Sequence, residues 1–144
     1  MHFLVFPILR LLSDSQTHSI TSISAHLNCS CSDIYSALDD IASFRINLSN
    51  QYDNYRWIDP VQWLDSQLIL KTEGLSEACY DVIIMDVTDS TNNLLLNQFK
   101  ILNSNVPIHR FKTSVVIAEL QTCGRGRFYR RWYSGLGDSL TFSV

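Results

Sequence analysis

Two apolar runs rich in β-branched residues, with an amphipathic segment between them, constrain the fold of this 144-residue chain most strongly. Residues 80–87 and 113–120 are almost continuously apolar, which is typical of strands buried on both faces of a sheet. Between them, Leu95 and Phe99 recur at helical spacing after a polar turn. The pattern predicts a sheet with an intervening helix, and residues 140–144 would add a further strand.

The first third of the chain carries short helical patterns instead. A helix is expected around Pro7, which suits a first turn, and a second helix is expected after Ser19. A third helix would be capped by Ser30 or Ser32. Two short helices joined by a tight turn after a supporting helix predict a helix-turn-helix.

A hairpin pattern follows the third helix and ends at a boundary. Residues 44–48 alternate between apolar and polar side chains, a turn-rich stretch follows, and residues 55–58 resume extended character. The hairpin would be the wing of a winged helix. Asp59-Pro60 marks a linker, after which Asp65 can cap a helix that ends near Gly74. The prediction is an α+β chain with a winged helix-turn-helix domain, a linker with a connecting helix, and part of an α/β domain, at residues 1–60, 61–78 and 79–144.

Composition and charge exclude several classes of protein. Hydrophobic residues make up 46% of the chain and charged residues 17%, which is typical of a folded globular protein. The net charge of −3 argues against an electrostatic nucleic-acid binder as a whole. The apolar stretch at residues 3–12 is shorter than the ~20 residues of a membrane span, and no cleavage site follows it. We therefore expect a cytoplasmic protein without membrane contact.

The cysteines lack the spacing of a disulfide framework, which suits a reducing compartment. His26, Cys29 and Cys31 form a compact group of possible zinc ligands, but no fourth ligand lies nearby in the sequence. We interpret them as small residues at a turn between helices and predict no metal site.

Glycine and arginine are concentrated in residues 121–132. Glycine lets the backbone approach a ligand, and arginine supplies forked, permanently charged donors for phosphate oxygens. A ligand that carries phosphate is the natural inference, and Trp132 offers a flat face for a nucleobase. A solvated arginine-rich surface or a nonspecific nucleic-acid contact is the alternative.

Three motifs in order carry a resemblance to a known family. Gly-Arg-Gly-Arg-x-x-Arg-x-Trp at residues 124–132 resembles the adenylate-forming loop of biotin protein ligases. Asp-Ser-Thr-Asn at residues 89–92 is similar to a segment of the same family, and residues 134–140 resemble its Ser-Pro-x-Gly-x-x-Leu segment. With the helix-turn-helix ahead of them, they resemble the N-terminal portion of a bifunctional biotin protein ligase and biotin operon repressor.

The resemblance implies an enzyme that joins biotin and ATP, with Mg²⁺, into biotinyl-5′-adenylate and releases pyrophosphate. Biotin would then pass to a lysine of the biotin carboxyl carrier protein of acetyl-CoA carboxylase. It further implies operator DNA and a second copy of the chain as partners. The biotin-binding residues would be Ser90, Thr91, Asn92, Gln121 and Gly124, the catalytic arginines Arg125, Arg127 and Arg130, and the nucleotide-binding residues Arg127, Arg130 and Trp132.

The sequence also departs from the family pattern. Phe128-Tyr129 occupies a place where the family has glycine, and Ser134-Gly135 replaces Ser-Pro. The family's later Lys-Trp-Pro-Asn-Asp segment, whose lysine contacts both reactants, does not occur in these residues, nor does its small C-terminal β-domain. We therefore expect a truncated chain with little or no ligase activity alone.

The predicted recognition helix, residues 30–41, contains aspartates and no lysine or arginine, although DNA affinity depends largely on neutralising phosphates. A degenerate winged helix that serves as a packing module is therefore an alternative to operator binding. The remaining alternatives are a DNA-binding repressor of biotin synthesis whose ligase portion only senses ligand, a lipoate ligase, and an inert product of an interrupted gene. The candidate DNA-binding residues are Ser32, Tyr35, Ser36, Arg45 and Arg56.

Overall fold

The structure is a computed structural model that describes residues 1–44, 46–72, 74, 76–102, 112–126, 128 and 130–144. The chain divides into two compact units, Met1–Gln62 and Trp63–Val144. Among the described residues, no helix combines the length and the apolarity needed to cross a bilayer.

The first unit begins with helices whose ends follow from local capping. They are α1 (Val5–Leu12), α2 (Ile20–Leu27) and α3 (Cys31–Ala42). Ser19 caps α2 by accepting from the Ser22 backbone N–H, as predicted. Ser30, rather than Ser32, caps α3, and it forms a reciprocal capping box with Asp33. A left-handed Asn28 ends α2, so α2 and α3 are joined by a tight turn.

A small antiparallel sheet completes this unit. Its strands are β1 (His18–Ser19), β2 (Leu48–Gln51) and β3 (Asn54–Trp57), in the order β1-β3-β2. The hairpin between β2 and β3 was predicted, but the prediction that its first strand starts at residue 44 is wrong. Phe44 instead donates its backbone N–H to Ile41 and belongs to the turn that ends α3. Left-handed Tyr52 and Asp53 make the tight hairpin turn.

The core of the first unit lies between its helices and β3. Ile8 and Leu12 of α1, Ile23 of α2 and Ile34 of α3 are inaccessible to solvent, and Trp57 of β3 is 1% exposed. The full set of buried positions in each helix includes spacings of three or four, so each helix buries one face. Burial of each such side chain contributes roughly 1.5–3 kcal/mol.

The second unit contains a short helix and a mixed sheet. Its elements are α4 (Ser66–Thr72), β4 (Tyr80–Thr88), α5 (Thr91–Leu102), β5 (Thr113–Gln121) and β6 (Thr141–Ser143). The sheet order is β4-β5-β6, with β4 parallel to β5 and β6 antiparallel to β5. Helix α5 connects the parallel pair and packs against β5 and β6. The connection predicted around residues 103–107 lies outside the described residues.

The expectation that residues 80–87 are buried on both faces is wrong. Strand β4 is half-buried along its length because it lies at an end of the described sheet, whereas β5 lies at the centre. Five consecutive residues of β5 are buried, from Val116 to Leu120. The two strands have similar apolar sequences but are buried to different extents, because burial depends on the neighbours of each strand in the sheet.

Both units combine helices with sheet, so the predicted mixed α+β architecture is confirmed at this level. Because β4 and β5 are parallel, their carboxyl ends meet at one edge of the sheet. Ligands of such sheets bind beyond the carboxyl ends of the strands. We therefore expect a ligand site at the loops that follow these two strands.

Candidate functional site

The loop after β4 and the loop after β5 are joined by backbone hydrogen bonds. Thr122 donates its N–H to the Thr88 carbonyl at 2.9 Å, and Cys123 donates to the Asp89 carbonyl at 2.8 Å. These bonds continue the pairing of the two strands past their ends. The two motifs singled out in the sequence, residues 89–92 and 121–132, thus begin side by side.

The turn into α5 holds two buried polar side chains. Ser90 is 1% exposed and Thr91 is 3% exposed, which is unusual for hydroxyl residues at the start of a helix. Beside them, Asn93 donates its side-chain amide to Asp89 Oδ2 at 2.9 Å. This bond is the main cause that lowers the pKa of the Asp89 carboxyl, and a hydrogen bond from the Ser90 backbone is the second cause.

Gln121 links the end of β5 to this turn. Its side-chain oxygen Oε1 accepts from the Thr91 backbone N–H at 2.8 Å and from the Thr91 hydroxyl at 3.2 Å. The turn leaves the first N–H groups of α5 without helical partners, and Gln121 satisfies one of them across 30 residues of sequence. The predicted biotin-binding residues of the two motifs are therefore in direct contact.

Residues 124–126 and 130–132 form two arms, which we call the arginine hairpin. Gly126 donates its N–H to the Arg130 carbonyl, and Trp132 donates to the Gly124 carbonyl, both at 2.8 Å. A Cβ atom on Gly124 would lie 2.7 Å from the Trp132 carbonyl oxygen, so only glycine fits there. The predicted long loop is thus partly ordered as a hairpin.

Phe128 lies between the two arms. It is 87% exposed and has a positive φ of 58°, a backbone conformation that bulky residues rarely adopt. The sequence departs from the family pattern in this part of the loop. Here the chain has a strained aromatic residue at the surface.

An open cleft of about 1150 Å³ faces the arginine hairpin. Arg125, Arg130 and Arg131 all line it and are exposed, so guanidinium groups face a part of the surface that an anion can reach. A side-chain hydrogen bond with Tyr133 is the main cause that raises the pKa of Arg131. Arg131 was not among the predicted site residues. The remaining lining residues are Asn92, Cys123, Gly124, Gly126, Phe128 and Trp132.

A second, smaller cavity of about 310 Å³ lies beside the first. Asn92, Arg125 and Trp132 line both cavities, so the two are neighbours. The smaller cavity is also lined by Ser90, Thr91, Gln121, Leu140, Thr141, Phe142 and Ser143. Its volume falls within the range of small-molecule pockets.

Strand β6 supplies a wall of this cavity that the sequence analysis missed. Thr141 donates its hydroxyl to the Ala118 carbonyl at 2.7 Å, and the Ser143 hydroxyl lies 2.9 Å from that of Thr91. The alternation of apolar and polar residues in 140–144 carried the signal. It places Thr141 and Ser143 on one face of a strand.

Two predicted site residues, Arg127 and Arg45, lie outside the described residues. Trp132 is half-exposed and lines both cavities, where its ring is accessible to a planar ligand. Among the described residues, no group of three His, Cys, Asp or Glu side chains is placed to hold a metal ion.

The candidate DNA-binding residues lie in the first unit. Ser32, Tyr35 and Ser36 share the exposed face of α3, and Arg56 is exposed on β3. Desolvation, followed by the charge of the neighbouring Asp53, raises the pKa of the Tyr35 hydroxyl. The structure thus places an acidic group beside the central tyrosine of this face.

The fold and the site define the class: a mixed α and β chain with an arginine-lined cleft beside a polar pocket at the carboxyl ends of parallel strands. The chain is similar to the bifunctional ligase/repressor BirA of Salmonella typhimurium, with 27% identity over 138 residues. It is 28% identical over 139 residues to the bifunctional ligase/repressor BirA of Escherichia coli. No family model matches the chain.

Each alignment covers 95% of this chain, so the resemblance drawn from the three motifs is confirmed over nearly its whole length. The chain spans about 39% of the length of these relatives.

Proposed function

We propose that residues 79–144 form the biotin- and ATP-binding part of a biotin protein ligase. The observation that carries this proposal is the adjacency of the two cavities, which share Asn92, Arg125 and Trp132. One cavity is small and lined by hydroxyl and amide groups, and the other is open and lined by arginines. Such a pair suits a compact polar head group beside a nucleotide.

Biotin occupies the smaller cavity in this proposal. Its ureido ring carries donors and an acceptor, which suit the polar groups of Ser90, Thr91, Asn92 and Gln121. Gly124 lets the backbone pass close to the Gln121 amide, so its part in the site is to make room for that side chain. A ligand that replaces the hydrogen bonds of the water it displaces is favoured in such a polar cavity.

ATP, taken as its magnesium complex, occupies the arginine-lined cleft. The carboxylate of biotin attacks the α-phosphorus, the bond to the bridging oxygen breaks, and pyrophosphate leaves. Arg125, Arg127 and Arg130 neutralise the charge that develops on the phosphate oxygens, and Trp132 stacks on adenine. The lysine amine of a biotin carboxyl carrier protein of acetyl-CoA carboxylase then attacks the mixed anhydride and releases AMP.

Calorimetric titration of the purified chain with biotin, and separately with magnesium ATP, tests the proposal. We expect one biotin and one ATP per chain. Arg125→Ala should weaken ATP binding about tenfold or more, because it removes a charge-assisted contact worth roughly 1.5–3 kcal/mol. Lys71→Ala, at an exposed position in α4, is the matched loss of one positive charge and should bind normally.

Lipoate separates the two branches of the ligase superfamily. It lacks the ureido ring, so it can form fewer hydrogen bonds than biotin with the hydroxyl and amide groups of the smaller cavity. We expect biotin, and not lipoate, to raise the melting temperature of the chain. The reverse preference would assign the site to the lipoate branch.

A second candidate function concerns residues 1–60, which we infer to form a winged helix-turn-helix that binds operator DNA. The tight turn between α2 and α3, followed by a hairpin, supports this inference. Asp33, Asp39 and Asp40 on α3 oppose it, because they repel phosphates. A gel-shift assay at low salt with the chain's own upstream DNA tests it. A retarded band that Arg56→Ala abolishes would support operator binding. If no band is retarded, residues 1–60 are better explained as a packing module that does not bind DNA.

A further inference from the structure

Ser143 on β6 belongs to a chain of hydrogen bonds that ends at Gln121. The Ser143 hydroxyl lies 2.9 Å from the Thr91 hydroxyl, which in turn lies 3.2 Å from Gln121 Oε1. The Thr91 backbone N–H also reaches Oε1, at 2.8 Å. Three strand and helix ends of the second unit are thereby held together at the rim of the smaller cavity.

The direction of each bond in this chain is determined by elementary chemistry. A backbone N–H only donates, so the Gln121 atom that it meets is the amide oxygen and not the nitrogen. A carbonyl oxygen only accepts, so the Thr91 hydroxyl donates its single proton to Gln121. The Thr91 oxygen then has no proton left for Ser143. The Ser143 hydroxyl is therefore the donor to Thr91.

This ordering leaves the Gln121 amide in one orientation. Both bonds from Thr91 hold Oε1, so the NH₂ group is turned to the other side, beside Gly124. A Cβ atom on Gly124 would lie 3.2 Å from Nε2. The Gln121 side chain lines the smaller cavity, so its Nε2 hydrogens are the donors that it can still offer a ligand there.

We propose that Ser143 is a positioning residue that fixes the Gln121 amide in the wall of the smaller cavity, and so makes this cavity selective for a ligand whose acceptor atom meets the Gln121 Nε2 hydrogens. The proposal rests on the proposed function in one respect: for biotin, that acceptor is the ureido oxygen. The Ser143 oxygen has donated its proton and keeps its lone pairs, so it can accept from a ureido N–H. Donor and acceptor groups on the two sides of the cavity match a cyclic urea.

Amide hydrogen exchange tests the hydrogen-bond chain without any ligand. In Ser143→Ala, the Thr91 oxygen loses its donor and the bond to Gln121 loosens. The Thr91 amide should exchange about three- to tenfold faster, the effect of one hydrogen bond. Ser143→Thr keeps the hydroxyl and should restore the wild-type rate. Ser139→Ala, an exposed serine of the preceding segment, is the matched control and should change nothing.

Selectivity between biotin and 2-iminobiotin tests the role in binding. An imino group replaces the ureido oxygen in 2-iminobiotin, so a donor would face the donor hydrogens of Gln121. The wild-type chain should prefer biotin, and Ser143→Ala should reduce that preference by about three- to tenfold. A purely structural defect would weaken both ligands equally and leave their ratio unchanged.

The outcomes separate this inference from the proposed function. Unchanged Thr91 exchange in Ser143→Ala would overturn the inference even if biotin binds. An unchanged biotin to 2-iminobiotin ratio would overturn the selectivity that it assigns to Ser143. Absence of biotin binding by the wild-type chain would contradict the proposed function and the selectivity, whereas the positioning role would then be judged by the exchange rates alone.

Discussion

The backbone N–H of Trp132 donates to the carbonyl oxygen of Gly124 at 2.8 Å, which closes the arginine hairpin at its base. The two arms of the hairpin approach so closely here that a Cβ atom on Gly124 would lie 2.7 Å from the Trp132 carbonyl oxygen. We expect Gly124→Ala to force the arms apart. The exchange of the Trp132 amide should accelerate about tenfold or more, since overpacking costs roughly 1–3 kcal/mol.

Gly126→Ala is the matched control for this prediction. A Cβ atom there would meet the Arg130 carbonyl oxygen at 3.6 Å, an ordinary contact. The Trp132 amide should remain protected in this variant. Equal exchange in the two variants would show that the close approach at Gly124 does not hold the hairpin closed.

Phe128 offers a stabilising substitution. Its positive φ is strained for a bulky residue, and its exposed ring has little packing to lose. Phe128→Asn should stabilise the arginine hairpin by about 0.5–1 kcal/mol, because asparagine tolerates the left-handed region better. Phe128→Val should destabilise it, because β-branched residues tolerate that region least. The exchange rate of the Gly126 amide, bonded to Arg130, measures both, and a shift in the same direction for the two variants would refute the explanation.

Asp33 makes the free energy of unfolding of the first unit depend on pH. Its side chain accepts from the Ser30 hydroxyl at 2.7 Å and from the Ser30 backbone N–H at 3.3 Å. The hydroxyl bond is the larger cause that lowers the pKa of the Asp33 carboxyl. Stability from a lowered pKa is fully present above the unfolded value of about 3.9, and it disappears as the pH falls through the lower folded value.

We therefore expect wild type to lose more stability than Asp33→Asn between about pH 6 and about pH 2.5. Urea unfolding followed on the amide signals of α3 measures the difference. Asp39→Asn, at an exposed position later in α3, is the control and should keep the wild-type acid dependence. An identical pH profile for wild type and Asp33→Asn would contradict the role of the capping box.

Glu119 is a buried carboxylate with a structural partner. It is 7% exposed in β5, and its Oε1 accepts from the Leu64 backbone N–H at 2.8 Å. Glu119→Ala should lower the free energy of unfolding of the second unit by about 1–3 kcal/mol, because it leaves the N–H unsatisfied. Glu119→Gln keeps an acceptor and should cost less. Chemical denaturation measures the free energy of unfolding of both variants. Equal losses would show that the bond to the Leu64 N–H does not account for the stability that Glu119 contributes.

Elements set by local chemistry could be predicted from the sequence. Ser19 caps its helix as expected, because a cap needs only its own side chain and a backbone N–H nearby. Gln121 and Thr91 were identified only by resemblance, since 30 residues separate them in sequence. Ser143 was missed for the same reason, because its partner, Thr91, lies 52 residues earlier in the sequence.

Burial was the hardest property to predict. The apolar runs of β4 and β5 are alike, and only the sheet order makes one central and the other half-buried. The extended pattern at residue 44 was overridden by the turn that ends α3. The burial of the two strands depended on contacts distant in sequence, which periodicity does not report, whereas Phe44 was decided by a local bond to Ile41, three residues earlier.

We propose above all that the polar cavity and the arginine-lined cleft form one site for biotin and nucleotide. Calorimetric titration with a sulfamoyl analogue of biotinyl-5′-adenylate, which carries both halves in one molecule, tests it most directly. We predict one analogue per chain, bound more tightly than biotin or ATP alone and weakened about tenfold or more by Arg125→Ala. Absence of binding, or binding no tighter than biotin and unaffected by Arg125→Ala, would contradict the account.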